Sequence, residues 1–243
     1  MSKFLDDRGQ EQASQFDFQA LEEIDPSLEG GFSISYDREI PIELRLQDVN
    51  TQPQDVGTLE SIRVKILIQG ENLNYNVMKI ELTSETDLFF NYISIIDEES
   101  FQRIKNDQKI KIEFNQFLNM VIKLFNHCHK EPHNFFSVFF MQRDGQARLD
   151  FIENMEYKFL EMLTIDFIAS PEDIIRQNVT YRYNILKAKM MFVTNRLTDI
   201  SALIKLKNPS LLVQLQKNNN QQNSSILNKS QMGNQQSNSR FLR

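Results

Sequence analysis

The side chains best suited to hold a metal ion gather at His127, Cys128, His129 and His133. Imidazole nitrogen and thiolate sulfur are ligands that zinc prefers, and structural zinc sites use them in fours. The spacing opposes such a site. Successive residues of a helix project in different directions, so three adjacent ligands cannot converge on one ion. No second ligand pair lies elsewhere in the chain. Cys128 also continues an apolar stripe with Phe117, Val121, Leu124 and Phe125, the place of a small core residue. The run Asp97-Glu98-Glu99-Ser100 could supply paired carboxylates for acid–base work. Acids just ahead of an apolar-periodic segment equally cap and charge a helix start, and the run is read that way. Only seven glycines occur, and none falls in a GxGxxG or GxxxxGK[ST] phosphate loop. No nucleophile elbow accompanies any serine. The residues therefore support neither an enzyme nor a cofactor or metal site.

What must be explained instead is a large apolar content. The chain has 243 residues, 40% of them hydrophobic, with 19 Phe and no Trp. Each buried ring stabilises by roughly 1.5–3 kcal/mol, so this many imply a substantial core. The net charge of −6 comes without a basic block, which disfavours nucleic acid as partner, since phosphate neutralisation needs clustered Lys and Arg. One cysteine fits a reducing compartment. The opening residues MSKFLDDRGQEQ do not read as a signal peptide, and no 18-residue apolar run marks a membrane helix. The expectation is a soluble intracellular protein.

Periodicity divides the chain into four parts. Residues 1–30, rich in Gln, Asp and Glu, are expected to be a disordered extension, with a short docking stretch at Phe16-Asp17-Phe18. Residues 31–170 form the head. Two-residue alternation predicts strands at Phe32–Tyr36, Ile40–Leu46, Ile62–Ile68 and Val77–Thr83, in an antiparallel meander. A helix is expected at Ser100–Asp107, a strand at Lys109–Phe114 and a second helix at Gln116–Lys130. Phe135–Met141 reads as a strand buried on both faces, and Arg148–Ala169 as a hairpin bent near Asn154-Met155-Glu156-Tyr157. The fold class is α+β, a small antiparallel β-sandwich or barrel with inserted helices. Residues 171–207 are a helix, announced by Ser170 as cap, Pro171 at the first position and acids in the first turn. Val179, Tyr183, Leu186, Met190, Val193, Leu197, Ile200 and Ile204 follow at steps of four and three, a heptad seam. Residues 208–243 form an Asn/Gln/Ser-rich tail expected to be disordered.

Leu82 to Cys128 resembles the head of the centriolar cartwheel family, spindle assembly abnormal protein six. Leu82, Thr83, Thr86 and Asp87 match the family's turn, and Phe89, Phe90 and Tyr92 its aromatic pair and tyrosine. Ile96, Glu98, Glu99, Phe101 and Gln108 match the short helix, and Glu113, Phe114, Phe117, Ile122, Leu124 and Cys128 the segment after it. A weaker match extends from about residue 32 to 175, and the heptad helix begins where the family's coiled coil begins.

The resemblance implies a structural protein of the centriole, basal body or ciliary base, located in the cytoskeleton. Its partners would be itself and other centriolar or ciliary-base proteins, with no nucleic acid and no membrane. Homodimers would form through Leu186, Met190, Val193, Leu197, Ile200 and Ile204. Heads would pair through a loop aromatic entering a neighbouring head, here Tyr157 flanked by Met155 and Phe159. Two departures stand out. The family has Phe where this chain has Tyr157, and the seam spans only about 25 residues, roughly 38 Å. A short "-like" paralogue of the family also lacks the long coiled coil, so the resemblance covers both the cartwheel builder and that relative. Two other readings stand beside it: a DNA-repair end-joining scaffold of the same head-plus-coiled-coil fold, and a monomeric adaptor at a cytoskeletal site.

Overall fold

Seven strands close into a barrel in the order β1-β2-β3-β4-β7-β6-β5. In this computed structural model residues 24–47, 57–71 and 74–207 are described. The strands are β1 (Phe32–Leu46), β2 (Thr58–Glu71), β3 (Asn74–Ser84), β4 (Asn91–Asp97), β5 (Phe135–Met141), β6 (Gln146–Met155) and β7 (Lys158–Ala169). Helices α1 (Glu98–Asp107) and α2 (Phe114–Lys130) lie between β4 and β5, and α3 (Glu172–Lys207) follows β7. All neighbours pair antiparallel except β1 and β5, which run parallel over Glu43–Leu46. The chain divides into two compact units after Asn184. The barrel belongs to the first, and the described part of the second is the remainder of α3. Among the described residues no helix is long and apolar enough to cross a membrane.

Alternation explains the barrel. Ile40 and Ile42, then Ile62, Val64, Ile66 and Ile68, then Met78, Ile80 and Leu82 point inward and are essentially inaccessible to water. Helices α1 and α2 close one end. Phe101, Phe117 and Phe125 are fully buried there, with Phe125 edge-on to Phe151 at 4.8 Å and Phe101 against Phe117 at 5.0 Å. The Tyr75 hydroxyl donates to the Phe114 carbonyl and accepts from the Leu118 N–H. Those two groups are four residues apart, the partners of a helical hydrogen bond, so a strand side chain is spliced into the first turn of α2.

The sequence expectations differ from the structure in five places. Phe32–Tyr36 and Ile40–Leu46 are one 15-residue strand with an irregularity between Ile34 and Tyr36. Pro41 does not break it, because β1 has only β2 beside it until the β5 pairing begins at Glu43. The fourth strand of the meander is therefore β4, whose adjacent Ile95 and Ile96 obscure the two-residue period. In place of the expected strand Lys109–Phe114, residues Lys109–Glu113 are a connection and Phe114 opens α2. Lys109 takes φ 55 and the Ile110 N–H reaches back to the Lys105 carbonyl, a helix-ending geometry. Glu113 and Gln116 then form a reciprocal capping box for α2. At the head of α3, Ser170, expected as the helix cap, instead donates its hydroxyl to Asn91 Oδ1 at 2.8 Å, tying the helix root to β4.

The fifth difference is at the N-terminal side. Residues 25–30, expected within a disordered extension, pack on the barrel as a 3-10 turn (Pro26–Leu28) and a glycine pair at φ 86 and 81 that leads into β1. Lys65 bridges Asp25 at 2.7 Å and donates to the Ser27 hydroxyl at 3.1 Å. That hydroxyl donates to Glu81 at 2.6 Å, and Lys79 pairs with Glu81 at 3.0 Å. Asp25, Ser27 and Glu81 are all buried. The expected docking stretch Phe16-Asp17-Phe18 and the tail 208–243 lie outside the described residues.

The barrel's thinnest closure is between β4 and β7, which pair only at Tyr92↔Ala169 and Ile93↔Ile168. Beyond that the Gln108 side chain acts as a substitute strand. Its amide donates to the Thr164 carbonyl at 2.8 Å and accepts from the Thr164 N–H at 2.9 Å. Gln108→Ala removes both partners of a part-buried peptide group, a loss of about 1–3 kcal/mol. A lowered urea midpoint with an unchanged slope is the expected outcome.

A second prediction concerns pH. Burial alone would raise the Asp25 carboxyl, but hydrogen bonding and attraction to Lys65, with Ser27 assisting, hold it below its ordinary value. A carboxyl lowered by folding stabilises above its unfolded value, about 3.9, and that contribution vanishes as pH falls through the folded value. Lys65→Met should therefore destabilise at neutral pH, and its deficit should narrow below about pH 4. Paired urea melts at neutral and acid pH check this, and a deficit that stays constant would contradict it.

Candidate functional site

The ligand-like residues do not converge. Cys128 points into the core at 2% exposure. Burial pushes its thiol up to about 11, with the neighbouring Ser137 hydroxyl working the other way. The His127 ring stands edge-on to Phe135 at 4.7 Å. Among the described residues no group of three His, Cys, Asp or Glu side chains could hold a metal. Asp97 caps α1, accepting from the Ser100 hydroxyl at 2.6 Å and N–H at 2.8 Å. Those bonds lower its carboxyl pKa. The remaining distinctive features are apolar side chains left in water.

One group sits at the tip of the β6–β7 hairpin. Met155 pairs with Lys158, leaving Glu156 and Tyr157 as a two-residue connection. Tyr157 is 89% exposed and Phe159 69%, with Met155 also exposed. The Tyr157 hydroxyl donates to Glu156 Oε1 at 2.9 Å, so the phenol carries its own acceptor. Phe159 stands edge-on to Phe136 of β5 at 5.7 Å. Just behind the tip, β6 is held to the residues leading into β5 by the Asn154 N–H on the Asn134 carbonyl at 2.7 Å and the Asn154 amide on the His133 carbonyl at 3.2 Å. The three residues expected at the tip are thus brought together on a braced support.

A second group lines α3. Leu186, Met190, Val193, Leu197 and Ile200 are each more than half exposed, and Ile204 is half-buried. They form a heptad row of large apolar groups exposed to water, the pattern that a coiled-coil seam presents. The root of α3 is anchored where the sequence motif lies. Ser84 accepts from the Thr86 and Asp87 N–H groups at 3.0 and 3.1 Å, shaping the β3–β4 turn. Arg182 donates to the Ser84 carbonyl at 2.8 Å and pairs with Glu85 at 2.8 Å.

A third surface was not foreseen. The barrel end away from α1 and α2 opens into a cavity of about 440 Å³ lined by Leu44, Leu46, Phe89, Phe90, Tyr92 and Met141. Glu60 and Asp87 stand at its rim. Its walls come from several strand ends far apart in sequence. The one local signal is the Phe89-Phe90 pair, of which Phe90 is buried while Phe89 is exposed.

The comparisons with known proteins agree with this architecture. The family model described as "Centriolar protein SAS N-terminal domain" matches residues 34–167, from β1 through β7. The spindle assembly abnormal protein 6 homolog of Gallus gallus is 24% identical over 144 residues, 56% of this chain and 22% of its own length. That of Danio rerio is 28% identical over 126 residues, 48% of this chain and 20% of its own. The chain thus spans about a fifth to a quarter of the length of the curated relatives it matches. An N-terminal fragment of Leishmania SAS-6 containing part of its coiled coil superimposes with TM-score 0.57 at 13% identity, covering 71% of this chain and 98% of the fragment. A fragment of Drosophila melanogaster Sas-6, dimerised via its coiled-coil domain, gives TM-score 0.61 at 15% identity, covering 84% and 97%. These likenesses show the shared fold, and the match across the whole barrel places the chain in the SAS-6 N-terminal domain family.

Proposed function

We propose that this protein is a structural self-assembly component of the centriole, basal body or a related ciliary-base structure. The observation that carries the reading is the pair of separate apolar surfaces on a family head: the tip at Met155, Tyr157 and Phe159, and the seam from Leu186 to Ile204. Seam residues of two chains interlock as a parallel coiled coil and exclude water from the row. Tips of two heads pair by seating Tyr157 in the neighbour. Two different interfaces on one chain generate a polymer, and the angle between them decides whether it closes into a ring.

Tyr157 suits this use despite its hydroxyl. An unpaired buried hydroxyl would cost roughly 1–3 kcal/mol. Glu156 already accepts from it, so the phenol can enter an interface with its partner attached. A buried ring as interface anchor contributes about 2 kcal/mol or more.

Sedimentation at several concentrations tests the scheme. Wild type is expected as a dimer that grows into larger species. Leu197→Asp should abolish the dimer, and Tyr157→Glu should leave the dimer while removing the larger species. A concentration-independent monomer mass for wild type would favour the adaptor reading instead. In cells, a tagged copy should collect at basal bodies, and its loss should disturb their ninefold symmetry.

A further inference from the structure

The open barrel end is a surface that neither the tip nor the seam uses. Its cavity of about 440 Å³ has the size that seats one or two large side chains. Phe89 is 77% exposed and Leu46 63% exposed at its edge. The rim is acidic. Among the described residues Glu60 accepts from the Thr86 hydroxyl at 3.0 Å and Asp87 from the Phe89 N–H at 2.9 Å. Neither carboxylate forms an ion pair among the described residues. An apolar floor inside an unpaired negative rim selects an apolar group flanked by cations.

The sequence contains a segment of that composition. Residues 208–243 carry Lys217, Lys229, Arg240 and Arg243 and no Asp or Glu, whereas residues 1–207 hold 23 basic against 33 acidic side chains. Within the basic stretch, Arg240-Phe241-Leu242-Arg243 sets an aromatic and a leucine between two guanidinium groups. The other aromatic stretches outside the described residues are poorer matches. Phe4-Leu5 is followed by Asp6-Asp7, and Phe16 and Phe18 flank Asp17, so the same rim would repel them.

We propose that the barrel mouth of one copy docks the Arg240–Arg243 segment of another. Phe241 and Leu242 enter the apolar floor, and the two arginines face Glu60 and Asp87. The contact is heterologous, joining unlike surfaces of two chains, and it adds a linkage independent of tip and seam.

The test uses the full chain carrying Phe241→Ser and Leu242→Ser, so that its own segment does not compete. A fluorescein-labelled peptide of residues 236–243 is titrated into it and followed by anisotropy. Saturable binding is expected, weakened about tenfold or more by Phe89→Ser and by Glu60→Lys. Both substitutions are at the cavity edge, and unchanged thermal melts verify that each variant folds. Peptides with both arginines replaced by Glu, or with Phe and Leu replaced by Ser, should not bind. Salt near 1 M, where screening acts within about 3 Å, should weaken the wild-type peptide. Absence of saturable binding, or binding that both mouth variants leave unchanged, overturns the proposal. The measurement reads the mouth alone, so that result leaves the tip and seam assembly standing.

Discussion

A closed barrel has to satisfy its last edge, and in this head that edge is the join between β4 and β7. An open strand edge presents unpaired N–H and C=O groups to any passing chain. Two backbone pairs close the join at the α3 end, and the Gln108 amide closes it further along. Everything that projects from the head depends on this closure, because β7 carries the hairpin tip at its start and leads into α3 at its end. A loosened β7 would leave the tip unaimed and the helix root unanchored together.

Polar side chains complete what the backbone leaves open elsewhere in the head. Tyr75 is inserted into the first turn of α2, Asn91 holds Ser170 at the helix root, and Arg182 grips the β3–β4 turn. The Asp25–Lys65 and Lys79–Glu81 pairs fasten the segment ahead of β1. Each is a local contact between elements distant in sequence. Together they tie strand ends, helix starts and the segment ahead of β1 to the barrel.

The legible part of the sequence was the part governed by period. Strands β2 and β3, the β6–β7 hairpin and helix α3 follow from alternation, heptad spacing and the Ser-Pro-acid start signal. Strand β4 was hidden because Ile95 and Ile96 are adjacent, and the false strand at Lys109–Phe114 arose because Ile110, Ile112 and Phe114 alternate in a connection whose side chains turn toward the core. The segment at residues 25–30 looked unpacked because its anchors are ionic, and charge in sequence reads as solvation. The tip residues Met155, Tyr157 and Phe159 were reached through family resemblance, since nothing about one exposed tyrosine distinguishes it locally. The barrel mouth was invisible for a different reason: Leu44, Phe89 and Met141 meet only after three strand ends are brought together.

The placement of tip and helix root on one strand sets a rule for how such a head can change. Side chains on a strand alternate faces, so inserting or deleting one residue in the regular run Leu163–Ala169 would exchange inside for outside along the remainder, except where a bulge such as the one β7 already carries at Met162 absorbs it. Phe167 would turn outward and Ile168 inward, or the tip would face the other way. Changes of two residues preserve both faces, with a step of roughly 6.6 Å. The separation between tip and helix root therefore behaves as a ruler with coarse graduations, and the bulge at Met162 is the one half-mark that β7 carries among the described residues.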